Sequence, residues 1–150
     1  MKLKLPLIAA FVAMLSLTAC GGGSENTQPA VVVASPATLI VTDIGAPGTG
    51  AVASGTKLVQ VHYTVWLYSA TAADNKGTLI ESSVNSAPLE FRLGANKVIP
   101  GFETGVTGML VGGKRNVKIP SNLAYGAAGS GPIPPNAGLV FEISLLSAIN

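Results

Sequence analysis

Cysteine, histidine and tryptophan occur once each in this 150-residue chain, and charged side chains make up only 11% of it. The lone Cys20 excludes an intrachain disulfide, a cysteine-built metal cluster and a pair of exchanging thiols. The lone His62 has no Ser or Cys partner suggested by spacing, so it reads as a structural or surface residue rather than a catalytic base. The shortage of Lys and Arg argues against a nucleic-acid partner, because that binding depends on neutralising phosphates. Of nine basic residues, Lys2 and Lys4 lie at the extreme N-terminus; the other seven face seven acidic ones, leaving the rest of the chain near neutral. The glycines between Gly101 and Gly113 do not follow a βαβ unit, which discards a phosphate-loop reading. Neither a metal nor a cofactor is expected.

The N-terminus carries an address. Lys2 and Lys4 precede an apolar run, Leu5 to Ala19, that is short for a membrane span and has the layout of a secretory signal. Leu17-Thr18-Ala19-Cys20 resembles a bacterial lipobox. That resemblance implies that residues 1–19 are removed and that Cys20 is lipidated on sulfur as the new N-terminus. An ordinary signal peptide with a stray cysteine is the other reading. Several acyl chains on one residue hold a protein at a membrane surface without a transmembrane helix. Gly21 rather than Asp after the cysteine is compatible with outer-membrane sorting, which would place the protein in the periplasm.

Residues 20–36 read as the lipidated cysteine and a flexible linker, from G-G-G-S-E-N-T-Q-P and the small residues that follow. Residues 37–150 suffice for one domain with one core. Period-two alternation marks strands. In Lys57–Tyr68, the positions Val59, Val61, Tyr63, Val65 and Leu67 are apolar, against Gln60, His62 and Thr64. Leu89, Phe91 and Leu93 alternate with Glu90 and Arg92, and Val117 and Ile119 with Asn116 and Lys118. Leu139, Phe141, Ile143 and Leu145 share a face, and Thr38–Ile44 adds a further strand. Trp66 belongs to the His62 face. Lys114 and Arg115 read as a solvated charge pair at a turn. A three-turn helix is expected from Pro100, with Phe102, Val106, Met109 and Leu110 on one stripe. Gly101, Gly105 and Gly108 weaken it by about 1 kcal/mol each relative to Ala, so it must be held against a sheet. The expected class is α+β, a five- or six-stranded antiparallel sheet curled around one short α-helix.

The segment Val98 to Phe141 gathers aromatic and aliphatic side chains with few ionisable groups and no plausible nucleophile. Chemistry on such a surface works by shape, desolvation and a few hydrogen bonds. Six motifs occur in order: V-H-Y-T (61–64), E-S-S (81–83), F-R-L-G (91–94), V-I-P-G-F-E (98–103), A-Y-G-A (124–127) and I-P-P-N-A-G-L-V-F (133–141). Together they resemble the FKBP-type peptidyl-prolyl isomerases, over about Leu39 to Ile149. The resemblance implies a sheet wrapped around a short helix, with a pocket between them. By motif position, it implies catalytic roles for Tyr63, Glu81, Ile99, Phe102, Tyr125 and Phe141. Ile80, Leu89, Val98 and Ile133 would bind substrate. Phe102 takes the pocket floor, where many members have Trp. The Ile99 N–H and the Tyr125 hydroxyl would each meet a ligand carbonyl. Phe91 reads mainly as core.

The implied partners are proline-containing polypeptides and macrolide immunosuppressants, met by a monomer that is tethered through its lipid. Ile80 stands where Phe is usual in the family, Glu81 where Asp is usual, Leu89 where Phe is common and Val65 where Gly is frequent. These departures motivate two rivals: a non-catalytic chaperone that holds prolyl segments in the same cleft, and a lipoprotein with a purely structural surface role.

Overall fold

A computed structural model describes residues 33–150, all within one compact unit. The signal segment, Cys20 and most of the expected linker lie outside the described residues. Six strands and one α-helix follow in the order β1 (Ile40–Ile44), β2 (Leu58–Tyr68), β3 (Lys76–Ser82), β4 (Leu89–Arg92), α1 (Pro100–Val106), β5 (Lys114–Ile119) and β6 (Leu139–Ile149). The strands form one antiparallel sheet in the order β1-β5-β6-β2-β3, with β4 pairing the first half of β2 beside β3.

The two long strands β2 and β6 are the spine. They pair from Leu58 opposite Ile149 to Leu67 opposite Leu139, with one register shift after Gln60. The alternation works as expected: Val59, Val61 and Val65 are buried, as are Leu139, Phe141, Ile143 and Leu145. Burial of each such side chain contributes about 1.5–3 kcal/mol. The opposite face of β2 is polar. There the Thr64 and Ser82 hydroxyls lie 2.8 Å apart, and Lys76 bridges to Glu142 while lying 4.7 Å from the Trp66 ring centroid.

Strand β3 was not expected from periodicity. It is an edge strand with no buried residue, and its pairing to β2 shifts register twice. Without a buried face it carries no alternation to read.

The helix is two turns rather than three. Gly108, at φ +81°, turns the chain into the left-handed conformation that ends helices. Leu110 then pairs with Val52 as an isolated bridge instead of extending the apolar stripe. The stub is held at both ends. The Glu103 carboxylate accepts from the Gly94 N–H at 2.5 Å, and Arg115 Nη1 donates to the carbonyls of Gly105 (2.9 Å) and Thr107 (3.0 Å). Arg115 also reaches Asp43 of β1 at 2.7 Å, with its side chain only 13% exposed. It is thus not the solvated partner of Lys114 but the cap of the helix C-terminus, where unpaired carbonyls favour a cation. The described start of the unit is also tied down, since the Gly138 N–H donates to the Ala34 carbonyl at 3.0 Å and Pro36 is buried.

Candidate functional site

Between α1 and the concave face of the sheet lies a cleft of about 170 Å³. Its wall from the sheet is Tyr63 and Val65 of β2, Ile80 and Glu81 of β3, Leu89 of β4 and Phe141 of β6. Lys97, Val98 and Ile99 approach from the turn into α1, Phe102 from the helix itself, and Tyr125 and Ile133 from the loop between β5 and β6. All ten residues singled out in the sequence for catalysis or substrate binding line this one cleft. Cys20 lies outside the described residues. Val65 and Lys97 complete the lining. Nothing in the sequence distinguished Lys97 from other exposed lysines.

The floor is aromatic. Phe102 is 2% exposed, and its ring centroid lies 5.0 Å from that of Phe141 and 5.8 Å from those of Tyr63 and Phe91. The Phe102–Phe141 and Phe102–Tyr63 pairs are edge-to-face, the arrangement favoured by ring quadrupoles. Phe91 supports the floor from beneath and does not line the opening.

Tyr63 is fixed at both ends. Its backbone N–H donates to Ser83 Oγ at 2.9 Å, its carbonyl accepts from the Ser83 N–H at 2.9 Å, and its phenol donates to Glu81 Oε1 at 3.0 Å. The E-S-S motif thus supplies both the carboxylate that receives the phenol and the serine that holds the backbone. Burial, and then the hydrogen bond and negative charge of Glu81, push the Tyr63 hydroxyl up to about 12. It remains a neutral donor throughout the physiological range. His62, on the opposite face, lies 3.3 Å from Ser83 Oγ through Nδ1.

Two donors at the mouth remain open. Ile99 is the N-cap of α1, and its carbonyl accepts from the N–H groups of Phe102 (3.0 Å) and Glu103 (3.2 Å). Its own N–H meets no acceptor among the described residues. The Tyr125 side chain, on a residue 39% exposed, also lacks a hydrogen bond among the described residues. A hollow with an aromatic floor and two unused donors at its rim suits a compact apolar ring flanked by carbonyls. Among the described residues no group of three or more His, Cys, Asp or Glu gathers to hold a metal ion. No helix among them is long and apolar enough to cross a membrane.

The family described as FKBP-type peptidyl-prolyl cis-trans isomerase matches residues 50–146. The FK506-binding protein of Neisseria meningitidis serogroup A is 44% identical over 110 residues, covering 72% of this chain and 94% of its own. The peptidyl-prolyl cis-trans isomerase FKBP15-3 of Arabidopsis thaliana is 46% identical over 91 residues, 61% of this chain and 59% of that one. The crystal structure of FkpA from Escherichia coli superposes with a TM-score of 0.62 at 36% identity, over 74% of this chain and 48% of that one.

Proposed function

The chain belongs to the FKBP-type peptidyl-prolyl cis–trans isomerases, and from that premise we propose that it accelerates rotation about X–Pro bonds of exported polypeptides while tethered to a membrane through lipid on Cys20. The observation that carries the catalytic reading is the meeting of a closed aromatic floor with two donors that have no partner among the described residues, the Ile99 N–H and the Tyr125 hydroxyl. The N-terminal sequence alone supports the tether, with a periplasmic location and an outer-membrane anchor as its natural setting.

An X–Pro amide turns slowly, over tens to hundreds of seconds, because rotation breaks the resonance that keeps the bond planar. In the twisted transition state the nitrogen lone pair no longer feeds the carbonyl, and charge separation falls. Water therefore stabilises that state less, relative to the planar amide, than it does the ground state. A pyrrolidine ring on Phe102, enclosed by Tyr63, Ile133 and Phe141, loses that solvent. The Ile99 N–H and Tyr125 hydroxyl hold the flanking carbonyls and fix the chain in a turn. Tyr63 and Glu81 satisfy each other and keep the wall rigid. Binding is then stronger for the twisted state than for the planar one, with no covalent step. Each tenfold gain requires about 1.4 kcal/mol. The same hollow suits the FK506-type macrolides that its relatives are named for.

A prolyl-peptide isomerisation assay on the full chain tests the catalytic reading. Acceleration that is abolished by a macrolide immunosuppressant supports it. Peptide binding without acceleration would replace it with a holding function, for which the aliphatic Ile80 and Leu89 walls are suited. Cys20→Ser tests the tether: loss of acyl labelling and release from the membrane fraction are expected, and unchanged membrane retention would overturn it.

A further inference from the structure

The loop between β5 and β6 carries two of the cleft's walls, Tyr125 and Ile133, yet has little regular structure of its own. It contains two single-turn 3₁₀ segments, Ser121–Leu123 and Gly126–Ala128. Within itself it is closed by Asn136 N–H to the Gly126 carbonyl at 2.7 Å and by the mutual pair Ser130–Ile133. Those bonds shape the loop but do not fix it to the sheet. Leu123, Ala124, Ile133 and Ala137 pack on the core, but the loop's hydrogen bonds to the rest of the domain are at its two ends, and both ends meet the same short segment.

At the entering end, the Ser121 N–H donates to Ser35 Oγ at 3.0 Å. At the leaving end, the Gly138 N–H donates to the Ala34 carbonyl at 3.0 Å, while the Gly138 carbonyl accepts from the Tyr68 N–H of β2 at 2.8 Å. Pro36 is buried, and Val33 packs against the core. The approach at Gly138 tolerates no side chain: a Cβ there would lie 2.5 Å from Pro36 Cδ and 2.8 Å from Ser35 Cα. This segment precedes the family match, which begins at residue 50.

We propose that Ala34–Pro36 is a strap that positions the Tyr125–Ile133 loop over the cleft, with Ser35 and Gly138 as positioning residues. The strap ties the two stems of the loop together at points four residues before Tyr125 and five after Ile133. With the strap loosened, the loop samples arrangements in which the Tyr125 hydroxyl is out of place. Substrate then selects the competent fraction, and apparent affinity falls by that fraction while the bound complex turns over normally. The kinetic signature is a raised KM with kcat preserved. Global destabilisation has a different one, because partial unfolding removes active molecules and lowers apparent kcat with KM unchanged.

The kinetic part of this proposal rests on the isomerase reading; its structural part does not. The full chain carrying Ser35→Ala, Ser35→Thr or Gly138→Ala is compared with the wild type by steady-state isomerisation and by amide hydrogen exchange. Ser35→Ala should raise KM about three- to tenfold, the range of one lost hydrogen bond, with kcat within twofold. It should also speed exchange in residues 120–138 without changing β2 or β6. Ser35→Thr, which keeps the oxygen, should restore both. Gly138→Ala should act as Ser35→Ala does or more strongly, and if it fails to fold, the serine pair decides alone. Wild-type KM in Ser35→Ala, or exchange quickened equally across loop and sheet, would overturn the strap. A wild-type chain without isomerase activity would sink the functional reading instead, and the strap would then stand or fall on the exchange contrast between Ser35→Ala and Ser35→Thr.

Discussion

The phenol of Tyr63 donates to Glu81 Oε1 at 3.0 Å, so the carboxylate at the mouth of the cleft is engaged with the wall rather than directed at substrate. Glu81 is one methylene longer than the Asp usual in this family and still closes the contact. Strand β3, irregularly paired and shifted in register beside Val65 and Trp66, brings the longer side chain within reach.

That contact has a pH signature. The Tyr63 hydroxyl is pushed up to about 12, first by burial and then by Glu81. The fold therefore favours the neutral phenol. Its contribution to stability is fully present below the unfolded tyrosine value of about 10 and is lost as pH rises from there towards 12. The hydroxyl is only partly buried, which keeps the effect modest. Denaturant titrations at pH 8 and pH 11.5 should show a loss of stability that is smaller in Tyr63→Phe. Glu81→Gln keeps an acceptor and removes the charge. Phenolate absorbance should then report a Tyr63 titration below that of wild type but still above about 10, because burial, the larger cause, persists. An unchanged titration in Glu81→Gln would show that the carboxylate has no influence on the phenol.

Tyr125 offers the sharpest separation of function from stability. Its hydroxyl has no partner among the described residues, so removing it leaves no orphaned buried group. Tyr125→Phe should alter stability by less than about 0.5 kcal/mol, as at other surface sites. One hydrogen bond to substrate is worth about 0.5–1.5 kcal/mol, so kcat/KM should fall about three- to tenfold. Equal kcat/KM for the two proteins would remove Tyr125 from the site.

How much of this was legible in the sequence depended on burial. Strands β2, β4, β5 and β6 each bury one face, and alternation found them; β1, exposed along its length, is the exception that the sequence still marked as a strand. Edge strand β3 buries neither face, so Ile80 and Glu81 came only from the resemblance to a family. The same holds for Tyr125 and Ile133, which sit on an irregular loop with no period. The helix was overread because Met109 and Leu110 continue its apolar stripe into a segment that Gly108 has already turned. Arg115 looked solvated because nothing local reveals that the helix carbonyls of Gly105 and Thr107 lie over its strand. Residues 33–36 have linker composition, and their contacts at Ser121 and Gly138 are more than eighty positions away.

Phe102 serves the core and the cleft at once, which determines the substitution that can test it. The ring is 2% exposed and touches three other aromatic rings. Phe102→Ala should cost about 3–5 kcal/mol through the cavity it leaves, a large share of the 5–15 kcal/mol typical of a domain. Lost activity in that variant would report unfolding as much as chemistry. Phe102→Leu retains an apolar branch at about 1–3 kcal/mol and should remain folded. With the floor no longer flat, its kcat should fall about tenfold, an extra barrier of about 1.4 kcal/mol. Wild-type turnover in a folded Phe102→Leu protein would show that an aromatic floor is unnecessary.

The glycines of α1 weaken an isolated helix, and propensity alone says that Gly101→Ala should gain about 1 kcal/mol. The packing reverses that sign. A Cβ at Gly101 would fall inside van der Waals contact of Ile119 Cγ2 and lie 3.1 Å from the Leu123 carbonyl oxygen. Ile119 is fully buried in β5, so it has nowhere to retreat. Overpacking of this kind costs about 1–3 kcal/mol. The alternative is for the helix to lift from the sheet, carrying the Ile99 N–H and Phe102 with it. Gly101→Ala should therefore lower both the denaturation midpoint and kcat/KM. Thr104, exposed on the same helix, provides the control. Thr104→Ala should hold or slightly raise the midpoint and leave turnover unchanged, because no sheet residue lies over that position. A midpoint raised equally in both variants would mean that backbone propensity, rather than the close seat on β5, decides the helix. The glycines would then have no part in bringing the helix near enough to form the cleft.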